Sequence, residues 1–173
     1  MTSIGDDDPA SALASDGRLH LVKQRILMDT KNRFHTKETW LWTRAESIAI
    51  MLVLSLMVIL HAREVHWGRF IFAFAIIDLI GYIPGAVAYR RKGGGKIAPI
   101  YHHLYNVTHS FLTGGAAVAL WTWTTGAPEW AMLAIPIHLL GDRGIFGNIY
   151  KPTELQFEPV AHELLPTVST ESR

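Results

Sequence analysis

The run "AESIAIMLVLSLMVILHA", residues 45–62, limits the folds open to this chain, because its only acidic or basic residue other than histidine is Glu46, near its start. A hydrocarbon core about 30 Å thick is crossed by about 20 such residues in a helix. A second run, "RFIFAFAIIDLIGYIPGAVAYRR" at 69–91, is as apolar but carries Asp78 at its middle. Two more stretches are long enough to span, although polar residues interrupt them. The expected fold is an all-α integral membrane four-helix bundle with spans at Ala45–Ala62, Arg69–Tyr89, Pro99–Thr122 and Trp130–Tyr150. Three spans with a re-entrant segment are the alternative.

Charge and composition narrow the function. The 173 residues hold 16 Lys+Arg against 15 Asp+Glu, so no net field argues for nucleic acid as a partner. With no cysteine, any metal must be held by His, Asp, Glu or backbone oxygen. The first twenty residues show no basic and apolar pattern of a cleavable signal. The basic loop "RRKGGGK" at 90–96 and Arg33, Lys37 and Arg44 before the first span place both termini in the cytoplasm of a multi-pass inner-membrane protein. Arg63 and Arg69 lie on the other side and count against that orientation.

Residues 1–17 read as a disordered acidic terminus, 18–43 as an interfacial amphipathic segment, 44–150 as the transmembrane domain and 151–173 as a polar tail. In the amphipathic segment, Leu19, Val22, Ile26 and Leu27 share a face opposite basic residues, and Trp40 and Trp42 follow like an aromatic belt. A helix docking on a partner protein has the same pattern.

The polar residues within the spans carry the functional argument. At 100° per residue, His102, Asn106 and His109 fall within about 60° of one another on the third span, with His103 beside them and Tyr105 at the edge. His138 and Asp142 stand four apart, on one face of the fourth span. The second span contributes Asp78, with Tyr82 one turn on. At 1.5 Å per residue, His109 lies roughly 16 Å from the cytoplasmic end, and Asp78 and His138 reach a similar level, with Asn106 and Asp142 about 4–6 Å nearer the cytoplasm. A charge at that depth costs about 2.5–3.5 kcal/mol on insertion scales, so such groups turn inward and pair. Asp78, His109, His138 and Asp142 are therefore the candidate ligands of a divalent metal, zinc, iron or manganese. The other reading of the same groups is a proton path or interhelical hydrogen bonds.

Arg143 is either the ion-pair partner of Asp142 or an anion clamp in a catalytic set of Asp78, His109, Asp142 and Arg143. His102, His103, Tyr105, Asn106 and Tyr82 are candidates to orient substrate or metal. The Gly81–Gly85 spacing and "TGGAAVA" at 113–119 suit close helix approach, and Pro136 opens or kinks the helix before His138. "GGGK" lacks the P-loop spacing, and the sequon "NVT" falls inside a span.

"DLIGYIPG", "YNVTHS" and "HLLGDRGIFGNIYKP" together resemble a family of small bacterial integral-membrane proteins known only as a domain of unknown function, over about residues 45–152. More distantly, Asp78, Thr108–Ser110 and His138 with Asp142 are similar to motifs of inner-membrane-bound metal-dependent hydrolases. That likeness implies a metal-dependent hydrolase acting on a lipid or lipophilic small molecule. The alternatives are an accessory subunit of a larger membrane complex or homo-oligomer, a proton-coupled transporter, and a non-haem iron oxidoreductase. The last lacks the dense histidine clusters of membrane desaturases.

Overall fold

The computed structural model describes residues 37–158, and every regular element among them is helical. By compactness the chain divides after Thr43, and the helical bundle from Arg44 onward forms the second unit. The expected disordered terminus 1–17, most of the interfacial segment and the end of the polar tail lie outside the described residues.

The elements are α1 (Lys37–Leu60), α2 (Trp67–Gly81), α3 (Ile83–Arg91), α4 (Pro99–Thr108), α5 (Phe111–Thr125), a 3-10 turn (Trp130–Leu133), α6 (Ala134–Gly141) and a π turn (Asp142–Phe146). α1 begins within the segment assigned to the interface. Two stretches are long and apolar enough to cross a membrane, Thr39–Leu60 in α1 and Trp67–Arg91 through α2 and α3. Pro84 sits in the first turn of α3, where its missing N–H breaks no helical bond, so the helix runs on past Tyr82.

The third expected span is not one helix. It breaks at His109–Ser110, where no proline or glycine stands. The Thr108 hydroxyl donates to the carbonyl of Leu104 at 2.9 Å, His109 Nδ1 bonds back to Tyr105, and Ser110 starts a new helix as its N-cap. Side chains that compete for the last carbonyls and cap the next helix end one run and begin another. The fourth expected span is a 3-10 turn, a two-turn α-helix and a π turn closed by Gly147 at φ 72°. Pro136 falls in the first turn of α6 and costs it no bond.

α2 is central, packed on α4, α6 and the 3-10 turn. One core cluster joins Ala73 and Ile77 of α2 to Ala134, Ile135 and Leu139; another joins Ala86, Tyr105 and Phe157. At one end of the bundle Arg69 pairs with Glu129, and the Trp130 indole donates to Glu64 at 3.0 Å. At the other, the Arg44 guanidinium caps the π turn by donating to the carbonyls of Gly144 (2.8 Å) and Ile145 (2.7 Å). Leu112 and Trp123 stay more than 80 % exposed, as do large apolar side chains all along α1 and α2 to a lesser degree.

Candidate metal centre

Asp78 follows core residue Ile77 on α2, His138 precedes core residue Leu139 on α6, and His109 stands at the break after α4. The break turns His109 inward. Glycine at 81 lets it approach, since a Cβ there would lie 2.0 Å from Thr108 Oγ1 and 3.0 Å from the His109 ring. The close-approach reading of Gly81 therefore holds, with α4 as the partner. Gly81→Ala is expected to lower stability by about 1–3 kcal/mol despite alanine's better helix propensity. Adding Thr108→Ala should restore most of that in thermal unfolding of detergent-purified protein.

A carbonyl oxygen only accepts, so His109 Nδ1 carries the proton in its 2.9 Å bond to Tyr105 O. In the neutral ring this leaves the Nε2 lone pair aimed at the site. Nε2 lies 3.3 Å from Asp78 Oδ1 and 3.0 Å from Asp142 Oδ2. His138 Nε2 lies 3.6 Å from the same Asp78 oxygen and 3.7 Å from the same Asp142 oxygen. Those last two distances are too long for hydrogen bonds. Both His138 ring nitrogens are buried with no hydrogen-bond partner among the described residues.

Ligand atoms of Asp78, His109 and His138 all lie within 4.8 Å of one another, a group that could hold a metal ion. Metal–ligand bonds of about 2.0–2.1 Å at tetrahedral angles separate ligands by about 3.4 Å. The 3.3 and 3.6 Å between Asp78 Oδ1 and the two imidazole nitrogens bracket that edge. Interhelical hydrogen bonds alone leave His138 Nε2 unexplained, whereas a shared cation would satisfy that nitrogen.

Asp142, expected as a fourth ligand one layer away, reaches the level of the cluster and touches both imidazoles, but it is not a member of the mutually close set. Asp142 keeps the regular α register, its N–H on His138 O, and its carboxylate leans back along the helix toward His138 one turn earlier. Asp78 and Asp142 line a cavity of about 210 Å³ with Tyr82, Tyr105, Phe146, Asn148 and Glu158. The Asp78 side chain is 43 % exposed, while those of His109 and His138 are 2 % and 4 % exposed, so the cluster faces the cavity through Asp78.

Other expected site residues lie elsewhere. Asn106 points away and clamps the backbone of Lys151, donating to its carbonyl at 3.0 Å and accepting from its N–H at 2.7 Å. His102 is fully buried edge-on to Phe157, and His103 is exposed. No ion pair joins Arg143 to Asp142 among the described residues; its guanidinium lies over the Phe111 ring at 4.3 Å. Tyr105 stacks on His109 with centroids 3.8 Å apart, fixing the ring plane.

The sequence reading missed the strap 147–158, which it counted largely as polar tail. Lys151 and Phe157 are 6 % and 0 % exposed. The Lys151 ammonium donates to Phe157 O at 2.7 Å, lies 3.8 Å from Glu158 and sits over the Tyr105 ring at 4.9 Å. Burial pushes this amine down from its ordinary value, against the opposing charges of Glu158 and Asp142. The single available signal was one phenylalanine in a charged and polar run, "ELQFEP".

No family model, curated protein or solved structure matches the chain.

Proposed function

We propose that this protein is a multi-pass enzyme of the bacterial inner membrane, a metal-dependent hydrolase of a lipid or lipophilic substrate, with both termini cytoplasmic. The observation that carries the reading is the Asp78–His109–His138 cluster, with its ligand-like spacing, a tautomer fixed by Tyr105 O and an otherwise unpartnered His138 ring. Two imidazoles and one carboxylate leave a coordination position open, as catalytic sites require, and zinc is the preferred ion over iron or manganese.

When bound, such an ion supplies Lewis acidity and lowers the pKa of water. Asp142 Oδ2, beside both imidazoles and on the cavity wall, takes the proton from water and returns it to the leaving group. Tyr105 holds His109 in orientation from its ring face.

Membrane residence is supported by the two long apolar stretches and by large exposed apolar side chains, which lipid would cover. An apolar hollow of about 320 Å³ between α2 and α5 supports a lipophilic substrate, because its wall includes Thr108, the neighbour of His109. The likeness to inner-membrane metal-dependent hydrolases points the same way.

The test is elemental analysis of detergent-purified protein, wild type against His109→Ala, joined to hydrolysis of p-nitrophenyl butyrate and dodecanoate. One metal per wild-type chain, hydrolysis lost to a chelator and recovered with zinc is the expected result. Asp142→Asn should keep the metal and lose about 10²–10⁴-fold in rate. A wild type that takes up no metal after reconstitution overturns the reading.

A further inference from the structure

The cavity beside the cluster has its own chemistry. Tyr105 is 2 % exposed, yet its hydroxyl has no hydrogen-bond partner among the described residues. Glu158 Oε1 is also buried without a hydrogen bond among the described residues, its nearest cation the Lys151 ammonium at 3.8 Å, and both residues line the cavity. Leaving such atoms unsatisfied costs about 1–3 kcal/mol each, more for a charged group. An occupant that offers one acceptor and one donor relieves both.

The walls also say what the occupant is not. Asp78, Asp142 and Glu158 give the cavity three carboxylates, while no lysine or arginine among the described residues lines it. The nearby Lys151 ammonium is engaged by Phe157 O and Glu158. An anionic phosphate or sulfate head would meet repulsion from Glu158 and gain no basic side chain to offset it. The volume, about 210 Å³, equals that of about seven liquid waters, enough for a reacting head group but not for a whole lipid.

We infer that this cavity is the head-group subsite of the enzyme and takes a neutral acyl group with an adjacent N–H, an amide-type head, its carbonyl oxygen accepting from Tyr105 Oη and its N–H donating to Glu158. The assignment rests on the metal-hydrolase reading for the placement of the reacting carbonyl. Tyr105 and Glu158 act as positioning residues: Tyr105 already braces His109 through its ring, and its hydroxyl is left for substrate. Glu158 comes from the strap, so the strap completes a pocket whose other walls belong to the bundle.

Two probes separate the donor contact from metal chelation. Acetohydroxamate and its N-methyl derivative both chelate a metal through two oxygens, but only the first keeps an N–H. Full-length detergent-purified protein loaded with cobalt would be titrated with each, read by the cobalt visible spectrum. The wild type is expected to prefer acetohydroxamate about tenfold, the worth of one hydrogen bond to a carboxylate. Glu158→Ala should abolish that preference at full cobalt loading; the buried Lys151 ammonium loses its neighbouring acid but keeps its bond to Phe157 O, and full loading reports an intact site. Tyr105→Phe keeps the ring stack on His109 and should weaken both probes about tenfold. A preference that survives Glu158→Ala, or unchanged binding in Tyr105→Phe, overturns the subsite. Failure of the wild type to load cobalt overturns the metal reading and the subsite with it, and is visible before any hydroxamate is added.

Discussion

His138→Ala is expected to lower metal affinity at least about 100-fold while leaving the metal-free protein close to its original stability. Loss of a group that only orients a ligand costs about 10–100-fold in affinity, and His138 is itself a member of the ligating set. Stability without metal moves little for a different reason. The ring is buried with both nitrogens unpartnered, so its removal relieves a desolvation cost that offsets lost packing on Phe74. The two effects separate in thermal unfolding with and without zinc. A ligand at 100 times its dissociation constant stabilises a folded protein by about 2.7 kcal/mol. The wild type should show an upward shift of that order, and His138→Ala at the same zinc concentration almost none. Equal zinc-induced shifts in the two proteins would remove His138 from the ligand set.

The residues that the sequence made legible were those whose burial in an apolar run is costly. Asp78, His109 and His138 stood out because each interrupts a stretch that otherwise avoids polar groups, and counting rise per residue was enough to place them at one height. The same counting placed Asp142 a layer away because it measured backbone rise alone, whereas the carboxylate leans back one turn to lie 3.7 Å from His138 Nε2. It also tied Asn106 to His109 on one stripe, although the break after Thr108 frees His109 to turn inward and leaves Asn106 to the strap. Breaks of this kind come from side chains bonding back to carbonyls, which hydropathy does not register. Arg143 was ambiguous in the sequence since adjacency to Asp142 says nothing about direction. On a helical turn, consecutive residues point about 100° apart, and its guanidinium finds Phe111 instead.

Phe157→Ala should be the most destabilising single change outside the cluster, at about 3–5 kcal/mol. The side chain is wholly buried against Gly85, where a Cβ would fall 2.3 Å from its ring, and it packs on the rings of Tyr82, His102 and Tyr105. Its carbonyl also receives the Lys151 ammonium, so loosening Phe157 strands a buried charge as well as opening a void. Gly85→Ala attacks the same contact from the bundle side and should be harmful in the wild type but milder with Phe157→Leu, since the two changes share one space. Because Asn148 and Glu158 wall the cavity from the strap while the cluster rests on α2, α6 and the α4 break, the damage should be selective. Hydrogen exchange is expected to rise across residues 147–158 first, with the amides of α2 and α6 protected and metal still bound. Uniform loss of protection along the chain would show instead that Phe157 belongs to the global core, and that the strap is not a separately opening wall.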